Sequence, residues 1–224
     1  MKYEVYSFSF RNPDRMKRMN TRFEHVGTRV NWVAPVPSTD TRIPGVIEHK
    51  RPFSIMLNHL DMLSAFVKYS KAEFGIFCED DIYIRRSFAS DIQVAMDAYD
   101  RHSLDVMLLG YLATYKPITL TVHDGHSILE PQVHILRYND DLWGSQMYMM
   151  NKAAAVKALD RYGKPEAAFD PYFSPDWTLT KLGNRALIYP MLAVEEGNVA
   201  TDHVGQQNFH RLCTEMHYTA DTYM

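Results

Sequence analysis

Hydrophobic positions along the chain change period several times, and each change predicts an element. In residues 3–10, Tyr3, Val5, Tyr6, Phe8 and Phe10 alternate with smaller or polar residues, as in a strand built from β-branched and aromatic side chains. Asn12-Pro13 reads as a helix cap followed by proline at the first helical position, and Met16, Met19, Phe23 and Val26 then recur at helical spacing. Residues 31–36 predict a second strand, ended by Pro35 and Pro37, while residues 38–52 lose any period and read as a surface loop. A helix over 54–71 carries Met56, Leu60, Leu63 and Val67 on one stripe. Residues 74–78 form an unbroken apolar run, typical of a strand buried on both faces, and lead straight into Glu79-Asp80-Asp81.

Ser87 predicts the cap of a helix reaching about Arg101, and residues 105–110 the next buried strand. Strand, helix, strand, helix, strand is the order of a parallel α/β sheet with helices on both faces. Residues 115–138 break that order: shorter strands with turns at Lys116-Pro117 and Asp124-Gly125 predict an added antiparallel section. Residues 146–150 predict a strand, Asn151 a cap, and Gly163 the stop of a helix ending at Tyr162. A proline-rich, aromatic segment over 165–175 leads to a short helix at 176–182 and a strand near 186–192, with an irregular tail beyond Glu195. The fold class expected is α/β: one domain over 1–224, with a mostly parallel central sheet flanked by helices and a smaller antiparallel section. Ligands of such sheets bind outside the carboxyl ends of parallel strands, where Glu79-Asp80-Asp81 falls.

Composition narrows the function classes. At 224 residues, 46% hydrophobic and 23% charged, the chain can bury a core without disulfides or metal staples. A net charge of −3 argues against a nucleic-acid partner, which would call for a basic excess. The two cysteines, Cys78 and Cys213, suit neither a disulfide framework nor a zinc cage. No apolar run reaches membrane-spanning length, and Lys2 interrupts any signal-peptide core, so a cytoplasmic location is expected. The thirteen methionines read as core filler.

Adjacent carboxylates after a buried strand raise one another's pKa unless solvent or a cation balances them. A solvated acidic turn is one reading of Glu79-Asp80-Asp81. The other is a divalent cation, Mn²⁺ or Mg²⁺, which takes hard oxygen ligands from one or two carboxylates plus substrate phosphates. The buried strand before the triplet favours the cation.

The stretch 74–82, FGIFCEDDI, resembles the strand and acidic motif of GT-A glycosyltransferases, above all the lipopolysaccharide-type glycosyltransferase family 25. Trp143-Gly144-Ser145-Gln146-Met147-Tyr148, followed by an alanine-rich helix, is similar to that family's central strand and helix, although Met-Tyr-Met-Met stands where a strand of the Ala-Tyr-Leu-Ile type is usual. The resemblance covers roughly 51–182. It implies a GT-A fold, with a nucleotide-binding half over about 1–110 and an acceptor half over about 111–224. It also implies a nucleotide-sugar donor, a UDP-sugar favoured, whose diphosphate is bridged by metal to the acidic motif.

Asp81 is the first metal ligand expected on that resemblance. Glu79 or Asp80 then faces the ribose or donor sugar, with Glu79 a further ligand candidate. A histidine from near the carboxyl end is expected to join them, His203 in Asp-His-Val-Gly first and His210 second. Among the basic residues after the first strand, Arg11 and Arg15 are the donor-phosphate candidates, and Trp143 is a donor-side candidate too. The proton acceptor of an inverting transfer is assigned to Asp176, with Asp170 second, although an aspartate before a helix is also a routine cap. Trp143, Tyr148, Phe169, Tyr172, Phe173 and Trp177 gather aromatic rings near the acceptor side, which suits a saccharide acceptor; Trp143 and Tyr148 also suit the core. Competing readings are a non-catalytic binding module and a metal-dependent phosphohydrolase or nucleotidyltransferase, the latter weakened because no second carboxylate set is evident. A P-loop or dinucleotide enzyme is excluded by the absence of a glycine-rich turn after the first strand.

Overall fold

The computed structural model describes residues 2–10, 12–47, 50–117, 133–170, 172–197 and 204–224. Strand β1 (Tyr3–Phe8) lies between β2 (Val30–Val33) and β3 (Phe74–Cys78), both parallel to it. Next to β3 comes β7 (Trp143–Asn151), antiparallel, and then β5 (Val106–Leu112), β8 (Arg185–Tyr189) and β6 (His134–Leu136). The result is a seven-stranded sheet in the order β2-β1-β3-β7-β5-β8-β6, with β5 and β8 parallel and β6 antiparallel at the edge. A two-stranded antiparallel pair, β4 (Ile82–Ile84) with β9 (Ala193–Glu195), forms the smaller section.

Strand alternation divides the core between the two faces of the sheet. Phe77, Tyr148, Met150, Val106 and Leu108 point one way, against Met56, Leu60, Leu63 and Phe66 of α2 (Lys50–Tyr69) and the alanines of α4 (Lys152–Tyr162). Ile76, Cys78, Met147, Met149, Met107 and Leu109 point the other way, against Met19 and Phe23 of α1 (Pro13–His25) and Phe88, Ile92, Ala95 and Met96 of α3 (Phe88–Arg101). Consecutive residues of a strand serve opposite faces, so a strand buried on both sides must be apolar throughout, as 74–78 is.

Two predicted caps form as expected: Asn12 accepts from the Arg15 N–H at 3.1 Å, and Asn151 from the Ala154 N–H at 2.8 Å. Ser87 does not cap in this way; its hydroxyl bonds Asp91 Oδ2 at 2.6 Å instead. The loop before α2 is tied down by polar bonds, the Val36 N–H donating to Asn58 Oδ1 at 2.8 Å, and α2 starts a turn earlier than the sequence predicts. The expected turn at Asp124-Gly125 lies outside the described residues.

Beyond Glu195 the structure corrects the sequence reading. Residues 204–217 form helix α5 (Val204–His217), which exposes most of its surface and buries only Cys213, although Phe209, Leu212, Cys213 and Met216 recur along it at helical spacing. The segment after it returns to β4, where Ile84 and Met224 exchange backbone hydrogen bonds at 3.1 and 3.0 Å. The helix expected at 176–182 shrinks to a 3-10 turn at Leu179–Lys181. Thr178 and Thr180 direct their hydroxyls back to the Ser174 and Asp176 carbonyls, offering the backbone an alternative to helix. Asp176 therefore sits in a turn, free of a capping role.

Candidate active site

The site lies where β3 ends. β3 is buried along its length and delivers Glu79-Asp80-Asp81 from a rigid strand terminus. Asp80 faces β1 and α1: the Ser9 hydroxyl donates to Oδ2, and Arg15 Nη1 to Oδ1 at 3.0 Å. The same Arg15 nitrogen lies 3.0 Å from Asp81 Oδ2. Asp81 Oδ1 is enclosed and has no hydrogen-bond partner among the described residues. Glu79 accepts from the Ser145 hydroxyl at 3.3 Å, and its backbone N–H donates to the Gln146 carbonyl at 3.1 Å, which joins the motif to β7.

The second half of the chain supplies the opposite wall. Asp176 lies near the Gly144 N–H and the Ser145 hydroxyl, which favour its ionised form, while its Oδ1 is enclosed and without a partner among the described residues. Gly144 is required here: its φ is +119°, and a Cβ would come within 2.7 Å of the Leu112 nitrogen. Glu195, at the end of β9, pairs through Oε2 with His210 Nδ1 of α5 at 2.6 Å.

These groups form one electrostatic unit. Burial pushes the Glu79 carboxyl well above the usual range, helped by the charges of Asp81, Glu195 and Asp176. Burial and the Glu195 charge push Asp81 up to about 7, against the pull of Arg15. Asp176 is raised by burial, with the Ser145 and Gly144 hydrogen bonds opposing. Burial works against a charged His210, but its bond to Glu195 and the charges of Asp81 and Asp176 prevail and raise its pKa. Several carboxyls held near one another and partly protonated at neutral pH are a common mark of a site that handles protons or cations.

The expected residues thus divide. Arg15, Glu79, Asp80, Asp81 and Asp176 are brought together. Asp170 is exposed and accepts the Tyr172 N–H at 2.8 Å within its own turn. Trp143 stands at the solvent-facing start of β7. Arg11 and His203 lie outside the described residues. Glu195 was not anticipated, although Ala193-Val194-Glu195-Glu196 repeats the form of Phe77-Cys78-Glu79-Asp80, an apolar run ending in acids. Ser145, which donates to Glu79 and lies near Asp176, is a small residue with no signal of its own.

Among the described residues, no three of His, Cys, Asp and Glu converge closely enough to hold a metal ion by themselves. The bare, enclosed Oδ1 of Asp81 and the mutual repulsion of the acids nevertheless suit a divalent cation that would draw its remaining ligands from a bound phosphate. No described helix is long and apolar enough to cross a membrane.

No protein-family model matches the sequence, and no curated protein matches it. Solved structures do. A glycosyltransferase involved in the glycosylation of the major capsid of PBCV-1 aligns over 95% of this chain and 100% of its own, at 11% identity and a TM-score of 0.51. A197 from STIV aligns over 91% and 96%, at 14% identity and a TM-score of 0.47. TarS from S. aureus aligns over 86% of this chain and 59% of its own, at 15% identity and a TM-score of 0.41. At such identities the likeness to the capsid glycosyltransferase is one of fold.

Proposed function

We propose that this chain is a glycosyltransferase that moves a sugar from a nucleotide-sugar donor, a UDP-sugar favoured, to a glycan hydroxyl with inversion. The observation that carries the proposal is the cluster of Glu79, Asp81, Asp176 and Glu195 at the carboxyl end of parallel β3, in an α/β fold shared with a glycosyltransferase. The resemblance of 74–82 to family 25 supports the same reading.

Asp81, with Glu79, is the pair that would hold Mn²⁺ or Mg²⁺. When bound, the cation would supply charge neutralisation for the departing nucleoside diphosphate. Arg15, already spanning Asp80 and Asp81, stands ready to exchange one carboxylate for a phosphate oxygen and hold the donor in place. Asp176 is the general base of this reading: its unpartnered Oδ1, closed off in the free protein, would have to open to the acceptor to take the hydroxyl proton as that oxygen attacks the anomeric carbon and the bond to the diphosphate breaks. Ser145, between Glu79 and Asp176, keeps the two carboxylates oriented.

The test is donor binding followed by thermal shift, with UDP-, GDP- and CMP-sugars, with and without Mn²⁺, on the parent and on Asp81→Ala. A donor at a hundred times its Kd stabilises the fold by about 2.7 kcal/mol. The expected result is a metal-dependent shift with one nucleotide class, lost in Asp81→Ala. No shift with any nucleotide sugar under either condition removes the donor site, and with it the reading.

A further inference from the structure

Next to the acid cluster, rings that would gain by burial stand in solvent. Trp143 is 45% exposed, Trp177 37% and Tyr172 61%. They are in mutual contact: Trp143 and Trp177 meet edge to face at 4.9 Å between centroids, and Tyr172 lies 5.8 Å from Trp177. By contrast Tyr148 and Phe173, from the same aromatic-rich segments, are buried in the core. Exposed apolar clusters bordered by polar groups mark binding surfaces.

Position decides what this surface binds. Trp177 directly follows Asp176 in the chain, and Trp143 directly precedes Gly144, whose N–H lies near the Asp176 carboxylate. The platform is therefore attached on both sides to the residue that faces an attacking hydroxyl. From these placements the geometry points to a subsite for a neutral glycan, its apolar C–H face stacked on Trp177 and Trp143 and its hydroxyls turned to Asp176. Tyr172 extends the platform away from the reacting centre. This assignment deepens the glycosyltransferase reading and rests on it, and of the two sides the sequence offers for Trp143, donor and acceptor, it takes the acceptor side.

The chemistry of the rim separates a glycan from other occupants. Asp140 and Asp141 precede Trp143 and Asp170 precedes Tyr172, while Arg185 pairs with Asp140 and Lys181 bonds the Leu142 carbonyl, so the rings are bordered by both signs of charge with carboxylates in excess. An excess of acids disfavours an anionic lipid surface and an anionic glycan, while the mixed border offers donors and acceptors to sugar hydroxyls. A patch of this few rings is also small against the roughly 1,200–2,000 Å² that a stable protein interface buries.

The experiment is direct binding without nucleotide or metal, so that it is read separately from the donor site. Intrinsic tryptophan fluorescence of the full chain is titrated with short neutral oligosaccharides of glucose, N-acetylglucosamine, galactose, mannose and xylose. Trp177→Ala, Trp143→Ala and Trp177→Tyr are compared with the parent, and their melting temperatures confirm folding. At least one sugar series is expected to bind the parent, roughly tenfold more weakly to each alanine variant, with binding partly kept by Trp177→Tyr. Asp81→Asn should keep saccharide binding while losing the donor response. Absence of binding to every series overturns the subsite. So does co-sedimentation with phosphatidylcholine or phosphatidylglycerol vesicles, or a concentration-dependent dimer, that is lost in the same variants.

Discussion

Glu195 and Glu196 are neighbours in sequence and opposites in environment. Glu196 turns toward α1, where Arg18 Nη2 and Arg22 Nη1 hold its carboxylate at 3.0 and 2.6 Å. Burial disfavours its charge, yet the two guanidiniums keep its pKa below the ordinary value. Glu195 turns the other way, to His210 at 2.6 Å, and adds negative charge to Glu79 and Asp81. One carboxylate is matched and fastens α1 to the β4–β9 region; the other belongs to a surplus. A fold that needs only cohesion has no reason to accumulate unmatched acids around enclosed, unpartnered oxygens. Their presence at a strand end is what a ligand bringing cations, phosphates or protons would explain.

The comparison is broken most severely at Asp176. Replacing it by asparagine keeps the shape and removes the proton acceptor, so transfer to a glycan should fall by roughly 10²–10⁴-fold, the range of a lost general base. Melting temperature should hold or rise, because one of several mutually repelling carboxylates has gone. Nucleoside diphosphate release and thermal melting of Asp176→Asn read the two effects. A large loss of stability with unchanged turnover would place Asp176 among the structural carboxylates, with Glu196.

A pH titration separates the two kinds of carboxylate in one sample. Asp81, raised to about 7, stays protonated in the fold after the unfolded chain has ionised. The unfolded state then binds fewer protons, so this contribution is fully present below about pH 4 and is lost as pH rises to about 7, on the order of 2–4 kcal/mol in all. Glu196 carries the opposite sign: its lowered pKa contributes stability above the usual carboxylate range and loses it as pH falls below. Ligating a cation requires the ionised carboxylate, so stabilisation by Mn²⁺ should grow as pH rises through about 7. Thermal melts from pH 2 to 8, with and without Mn²⁺, check both signs. A Mn²⁺ effect that is flat with pH would remove Asp81 as its ligand.

Glu196→Gln tests the matched partner. Losing charged hydrogen bonds to Arg18 and Arg22 should destabilise the fold by about 1–3 kcal/mol in chemical denaturation, with donor binding retained. If donor binding fails with little change in stability, Glu196 belongs to the site after all.

How much of this was legible in the sequence follows from where each residue gets its neighbours. Strand β3 and its acidic end could be read locally, because a doubly buried strand is apolar at every position and a charged triplet ends it abruptly. The helices α1, α2, α3 and α4 carried apolar stripes, and α1 and α4 their Asn caps. Arg15 was visible as a basic residue after β1. What the sequence hid was long-range. β7 lies antiparallel between β3 and β5, a placement no local pattern encodes, and it brings Ser145 and Gly144 against Glu79 and Asp176. Helix α5 was read as irregular even though Phe209, Leu212, Cys213 and Met216 recur at helical spacing, so His210 stood as the second choice of histidine without the element that carries it to Glu195.

Helix α5 also permits the finest comparison, between two residues on one element. His210 faces the acid cluster, whereas Glu215 pairs with Arg211 one turn away, with both side chains exposed. An exposed i,i+4 pair contributes about 0.3–0.5 kcal/mol, and much of that is screened by salt. Glu215→Gln should therefore shift the denaturation midpoint barely beyond error and leave donor and saccharide binding as they were. An effect of Glu215→Gln on donor binding that vanished in high salt would mean that the site senses the charge of α5 at long range. The surplus at β3 would then belong to a wider field than the contacts of Glu195 and His210 define.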